Sequence, residues 1–246
     1  MARAARRLCL LAICFLAPGC ASVDGVLARS DIIRGIVHST VQLRAEREGG
    51  GRRAASGVVL SSDPKSSRSW ILTTRHFLNP PLRQDVYVSA PRWKGQVKAT
   101  VLARSSDVDL AVIEVEGMIL PPVKFKEMVR LGDEVWVVAF PWGRRLTLVS
   151  GVVSQLVSDE GEVALEGPVR MVDASVSYGS SGGGVFDAAS GELIGIVESY
   201  RTAQVAIPEA PERVLQIPVP GETTVISCGA ILRFLASSEL KALLPK

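Results

Sequence analysis

Cysteine is nearly missing from the body of this chain. Of the four present, Cys9 and Cys14 sit in an apolar N-terminal stretch and Cys20 follows it, leaving Cys228 alone further on. An intramolecular disulfide framework is therefore excluded. Cys228, within Val225-Ile226-Ser227-Cys228-Gly229, reads as a small buried hydrophobe, since no histidine is placed to activate it. Histidine is scarcer still, with His38 and His76 only, and no metal-ligand spacing occurs. Aromatics make up 5% of the chain, and neither a heptad pattern nor a fixed-period repeat is present, which removes coiled coils and solenoids. Charge of one sign is also lacking. The formal net charge of +3 comes from Arg3, Arg6 and Arg7, and without them 25 basic side chains face 25 acidic ones. A nucleic-acid binder would keep a basic face. The one local cluster, Arg44, Arg47, Arg52 and Arg53 around Gly49-Gly50-Gly51, reads as a solvated hairpin tip.

The three N-terminal arginines and the apolar run Leu8 to Ala17 form an export signal over residues 1–19, too short to span a bilayer as a mature helix. Leu16-Ala17-Pro18-Gly19-Cys20 resembles a bacterial lipobox, in which Cys20 would be acylated and residues 20–35 would be a tether. Ala17-Pro18-Gly19 equally suits an ordinary small-residue cleavage site; lipidation is the reading adopted.

From residue 36 the pattern is short β-branched runs between turn residues: Val41 to Leu43, Gly57 to Leu60, Trp70 to Thr73, Val86 to Val88, Val97 to Leu102 and Leu110 to Val115. After a proline-containing connection, Gly117 to Lys126, a second set follows: Glu134 to Phe140, Leu146 to Leu156, Val163 to Leu165, Val169 to Val172, Gly184 to Phe186 and Leu193 to Glu198. Two sets of about six predict an all-β fold of two packed antiparallel barrels, about 36–116 and 127–228, with any site in the crevice between them. Ala203 to Gly221, with four prolines, reads as a surface excursion with one edge strand. Helical spacing over 229–244 predicts a C-terminal helix.

Chemistry concentrates in Tyr178-Gly179-Ser180-Ser181-Gly182-Gly183-Gly184, a serine framed by glycines before a strand. Acyl transfer needs a hydroxyl on a tight turn with backbone N–H groups converging on the developing oxyanion, and Gly179 and Ser181 would supply them. No Lys-Ser/Thr pair follows, so a phosphate-binding loop fits poorly. A serine needs a base. His76, at the end of Ile71-Leu72-Thr73-Thr74-Arg75, is the candidate, whereas His38 reads as structural. A carboxylate should fix the imidazole. Asp109, ahead of Leu110-Ala111-Val112-Ile113, is preferred, and Asp107 is its competitor.

Four segments in this order, Ala55 to Leu60, Ile71 to His76, Asp107 to Val112 and Asp173 through Gly183, make the chain resemble the trypsin-like peptidases, and among them the bacterial HtrA/DegP type. The resemblance runs from about Val37 to Val197. It implies a double barrel, serine endopeptidase activity on polypeptides, no metal or organic cofactor, His76 as base, Asp109 as orienting acid, Ser181 as nucleophile, and Gly179 and Ser181 as oxyanion donors. It further implies that Ser175, six residues before the nucleophile, floors the specificity pocket. Gly195 to Ser199, including Val197, Glu198 and Ser199, would pair with the substrate backbone, with small or medium apolar residues expected before the cut. Arg75 and Ser180 stand where the family usually has alanine and asparagine, and Gly184 also departs from its pattern. The PDZ module that many HtrA proteins carry is absent from these residues, so regulation through a peptide-binding module is not inferred.

The function expected is therefore an exported serine endopeptidase acting through an acyl-enzyme. The rival is a catalytically silent protease-fold binding or chaperone protein, and an esterase is disfavoured because no α/β alternation surrounds the serine. Mass spectrometry of the mature protein should find an acylated Cys20 at the N-terminus. An unmodified Cys20 in a wholly soluble protein would remove the anchor while leaving export in place.

Overall fold

The computed structural model describes residues 28–80, 84–159, 162–207, 210–237 and 239–244. The signal at 1–19 and Cys20 lie outside them. Helix α1 (Arg29–His38) leads into β1 (Thr40–Arg47), β2 (Arg52–Asp63), β3 (Arg68–Thr73), β4 (Gln84–Ser89), β5 (Val97–Arg104) and β6 (Ala111–Glu116). These close a barrel in the order β1-β2-β3-β6-β5-β4. Next come β7 (Val129–Arg130), β8 (Glu134–Ala139), β9 (Thr147–Leu156), β10 (Glu166–Gly167), β11 (Val169–Asp173), β12 (Gly184–Asp187), β13 (Leu193–Ile207) and β14 (Ala210–Ser227), and then α2 (Cys228–Ala236). The second barrel closes as β11-β14-β13-β12-β8-β9, and β7 and β10 form a separate pair. The fold is all-β with two closed six-stranded antiparallel barrels, as expected.

Alternation along a few strands builds three apolar clusters at once. In β2, Val59 enters the first barrel while Val58 and Leu60 face outward; in β3 and β6, Ile71 and Ile113 point in while Leu72 and Val112 point out. From the second barrel Val135, Val137 and Val185 point inward, and Trp136, Val138 and Phe186 point out to meet the first barrel's outer set. These strands are buried on both faces, which is why they read as unbroken apolar runs. The seam between barrels is thereby as dry as either interior. A full burial of one such side chain contributes about 1.5–3 kcal/mol, so the two barrels are held as one body.

Four expectations are corrected. The tether cannot extend to residue 35, because α1 starts at Arg29, buries Ile32 and Ile36, and sets the Arg29 guanidinium 4.5 Å from the centre of the Trp136 ring. Val163 to Leu165 makes no strand: Val163 and Leu165 are 83% and 70% exposed, and only Glu166–Gly167 pairs, with β7. The missing sixth strand is β14, from the proline-rich stretch. There, β13 and β14 continue past the barrel as a two-stranded ribbon, whose edges tolerate proline. Finally, the helix expected over 229–244 stops at Ala236. Ser237 hydrogen-bonds through its hydroxyl to the Phe234 carbonyl at 3.1 Å, ending the helix, and a separate 3₁₀ turn spans Glu239–Leu243. At its other end Ser227 caps α2 by accepting from the Ala230 N–H. Cys228 is fully buried, and burial pushes its thiol far above the usual range, in keeping with a packing role.

The connection between barrels is held by backbone bonds from Val123 to Val59 and between Lys124, Lys126 and Leu193, and by an ion pair. Lys126 Nζ donates to Asp187 Oδ2 at 2.6 Å, and the other carboxylate oxygen accepts from the Ser190 and Ala189 N–H groups at 2.7 and 3.1 Å. Burial by itself would raise the Asp187 pKa, but the hydrogen bonds from Lys126 and Ser190 outweigh it and hold the carboxyl below the usual range. A depressed folded-state pKa gives stability that is present above the unfolded value, about 3.9, and is lost as pH falls through the folded one. Asp187→Asn should cost about 1–3 kcal/mol in urea unfolding at pH 7. Below pH of about 4 the wild type should lose this advantage and the gap should narrow; a gap independent of pH would contradict the assignment.

Candidate active site

His76 is the second residue of the 3₁₀ turn Arg75–Leu78 that follows β3, and Asp109 lies in the loop that leads into β6. The pairing of β3 with β6, Thr73 opposite Ala111, sets these two strand ends side by side. The imidazole Nδ1–H donates to Asp109 Oδ2 at 2.5 Å and the His76 backbone N–H donates to Oδ1 at 2.8 Å. Both carboxylate oxygens are therefore engaged by one residue, which fixes the ring and leaves Nε2 as the proton acceptor. Burial works to raise the Asp109 pKa, yet the hydrogen bond and charge of His76, its N–H and nearby Arg75 together keep the carboxyl below the usual range. Arg75 is structural. Its Nη1 donates to the Ser105 and Ser106 carbonyls at 2.6 and 2.8 Å, bracing the loop that carries Asp109. Asp107 is exposed and accepts from Ser106 Oγ; it does not reach His76.

Ser181 comes from the second barrel, on a loop of two successive turns closed by Ser180 N–H to Ser177 O at 3.0 Å and Gly183 N–H to Ser180 O at 2.8 Å. The third position of each turn is a glycine at positive φ, Gly179 at 89° and Gly182 at 82°. A Cβ on Gly179 would sit 2.7 Å from the Trp142 nitrogen, and one on Gly182 2.2 Å from the Ser56 carbonyl oxygen. Both positions thus need glycine for conformation and for space.

The loop's polar groups divide into two sets. Successive carbonyls are all taken: Tyr178 O by the Trp142 N–H at 2.7 Å, Gly179 O by Ser56 Oγ at 2.8 Å, Ser180 O by Gly183, and Ser181 O by the Ser56 N–H at 2.9 Å. Ser180, Gly182 and Gly183 use their N–H groups internally or on Val197. The N–H groups of Gly179 and Ser181 have no partner among the described residues. In a trans peptide N–H and C=O point opposite ways. Pinning the Tyr178 and Ser180 carbonyls therefore turns these two donors outward on the reverse side, the arrangement an oxyanion requires. Trp142 holds its end with φ 57°, a costly conformation for an aromatic residue, while its ring packs on Tyr178 at 5.3 Å between centroids.

A cavity of about 240 Å³ collects these groups, lined by His76, Ser181, Gly179, Tyr178, Glu198, Ser199, Tyr200, Thr202 and, on the opposite side, Arg53 and Ala54. Ser175 is exposed and does not line it, and Val197 is buried with its N–H and C=O spent on Gly183 and Gly182. The structure thus separates both from the cavity. Glu198 enters because β13 bulges there, its neighbours Val197 and Ser199 pairing with consecutive Val225 and Thr224. His38 ends α1, away from this cavity. Sequence reasoning misses Ser56, Trp142, Tyr200, Thr202 and Arg53. Arg53 donates to the His76 and Asn79 carbonyls and is no solvated tip.

Residues 55–196 match the family model for the trypsin-like peptidase domain. The chain belongs to that family. Among similar proteins, a probable periplasmic serine protease of the do/HhoA type from Haemophilus influenzae is 29% identical over 158 residues, 62% of this chain and 32% of that protein. A probable periplasmic DegP-like serine endoprotease of Brucella suis is 32% identical over 148 residues, 57% of this chain and 26% of its own length. This trypsin-like chain thus spans about a third or less of the curated relatives it matches. A solved serine endoprotease from Yersinia pestis superposes with a TM-score of 0.62 at 20% identity, covering 89% of this chain and 67% of that one.

Ser56 is the residue on which the loop geometry can be tested. Its hydroxyl bridges the Phe140 N–H and the Gly179 carbonyl, both at 2.8 Å, in a fully buried position. Ser56→Ala should cost about 1–3 kcal/mol by leaving these groups unpaired, and should slow acylation by a fluorophosphonate about tenfold. Unchanged acylation in a destabilised variant would show that the hydroxyl does not set the loop.

Proposed function

We propose that the protein is an extracytoplasmic serine endopeptidase in which Ser181 is the nucleophile, His76 the base, Asp109 the orienting acid, and the Gly179 and Ser181 N–H groups the oxyanion donors. The observation that carries this reading is the joint presence, in one cavity, of an imidazole fixed by a carboxylate and a serine beside two unpaired N–H donors. Ser181 Oγ attacks the peptide carbonyl carbon while His76 Nε2 takes its proton. The new alkoxide is stabilised by the two N–H groups. His76 then returns the proton to the leaving amine, giving an acyl-enzyme and a free N-terminus, and water repeats the sequence to release the acid and restore Ser181. Asp109 stays ionised throughout and stabilises the imidazolium.

The export signal and the periplasmic relatives support an extracytoplasmic location. Acylated Cys20 would tether the enzyme to a membrane surface. Glu198, Ser199 and Tyr200 replace Ser175 and Val197 as the residues that meet the acyl part of a polypeptide substrate, and degradation of unfolded exported proteins is the role this fits. A silent peptide-binding scaffold would need no fixed imidazole beside a serine.

Fluorophosphonate labelling of the mature protein should modify Ser181 alone. Ser181→Ala and His76→Ala should each lower turnover by about a million-fold, and the double variant should be scarcely worse than either. Asp109→Asn should cost about ten-thousand-fold through the wrong tautomer, with Asp107→Asn near wild type. Retained hydrolysis in Ser181→Ala would refute the protease reading; greater damage from Asp107→Asn would reassign only the acid.

A further inference from the structure

Beyond the barrel, β13 and β14 form a ribbon with a sidedness that the fold does not use. Cross-strand partners Ala203 and Ile217, and Val205 and Leu215, are two residues apart on each strand and so share one face. All of them are exposed, with Val205, Leu215 and Ile217 at 46%, 53% and 43%. The opposite face carries Thr202, Gln204, Gln216 and Pro218, with Ala206 and the exposed Val214 at its outer end, so it is polar next to the cavity and apolar only beyond it. A two-stranded ribbon is marginal in water by itself, and an uncovered apolar face on one is a candidate for covering by a partner. The edge of β13 away from β14 is also open. It pairs with β12 only as far as Ile196, and Val197 meets the Ser181 loop; beyond that no strand joins it among the described residues.

The same strand lines the catalytic cavity through Glu198, Ser199, Tyr200 and Thr202, so ribbon and cavity are continuous. We propose that the open edge of β13 and the apolar face of the ribbon are a docking shelf for an extended polypeptide substrate. The segment docked lies upstream of the cut bond, and its alternate residues are apolar. The inference rests on the endopeptidase reading. A strand added antiparallel to β13 has its C-terminal end beside Glu198 and Ser181, so its earlier residues lie along Thr202 to Ala206. At one residue per residue this corresponds to about the fifth to ninth positions before the cut. Every second side chain of that strand falls on the Val205, Leu215 and Ile217 face. The substrate selected is thus a stretch with strand-like alternation, of the kind an unfolded β-protein exposes.

The test compares two peptides of identical composition and identical sequence around the cut bond, whose upstream apolar residues are alternated in opposite phases. A shift of one position moves every apolar side chain to the other face, so the wild type should cleave one phase with kcat/KM about tenfold higher. In Val205→Thr, Leu215→Thr, Ile217→Thr, which keeps β-branched or strand-compatible side chains, the two phases should become equal, with acylation by a short activated ester unchanged. Should the triple variant lose ester acylation, Leu215→Thr alone takes its place. Equal cleavage of both phases by the wild type, or phase preference surviving in the variant, overturns the shelf. So does wild-type self-association by sedimentation that the variant abolishes without any phase preference, which would assign the face to a second copy. Anisotropy of the labelled peptides separates the two levels of the account. Phase-dependent binding to wild type with no hydrolysis keeps the shelf and sinks the endopeptidase, whereas ester acylation with no phase-dependent binding does the reverse.

Discussion

A peptide group that leaves water must find hydrogen bonds at both its ends or carry an uncompensated cost, and the Ser181 loop meets that demand on one side only. Its carbonyls from Tyr178 to Ser181 are each held, by Trp142, Ser56, Gly183 and Ser56 again, while two N–H groups are left without a partner among the described residues. Fixing the oxygens aims the nitrogens. Donors that are aimed in advance need no reorganisation when charge develops, which is the source of their catalytic strength. The expense is borne in conformation: glycines at positive φ, and Trp142 in a left-handed geometry.

That loop depends in turn on the seam between barrels. Ser56 belongs to β2 of the first barrel and Phe140 and Trp142 follow β8 of the second, so the hydroxyl bridge and the apolar contacts of Val58, Leu72, Trp136 and Phe186 secure the same junction. His76 and Asp109 arrive from the first barrel, Ser181 from the second. A chain with strands buried on one face only would form the barrels without fixing their mutual position. The outward residues of β2, β3, β6, β8 and β12 supply the second face.

The parts of this arrangement readable from sequence are those with a local chemical signature. Gly179, Gly182 and Gly183 announce the turns, His76 follows an apolar strand, and Asp109 precedes one; the unbroken apolar runs mark the seam strands. What stays hidden is set by long-range pairing. Ser56 looks like one more small residue in a strand because its partner carbonyl is 123 positions away. β14 is masked by its prolines, which are tolerated only because its outer part is a ribbon with free edges. Counting back six residues from Ser181 selects Ser175, but the loop's path does not convert that distance along the chain into contact with the cavity. α1 escapes because ten residues with a polar start carry little signal until Ile36 joins the seam and Ile32 is buried beside it.

The central claim is that the Gly179 and Ser181 N–H groups are poised before substrate arrives. A crystal structure of the phosphonylated enzyme, beside the free one, measures this directly. The account predicts a phosphonyl oxygen within about 3.1 Å of both nitrogens, with the bonds from Trp142 and Ser56 to the loop carbonyls the same in both states. A loop that flips a peptide between the two states, or a phosphonyl oxygen bound to neither nitrogen, would contradict it.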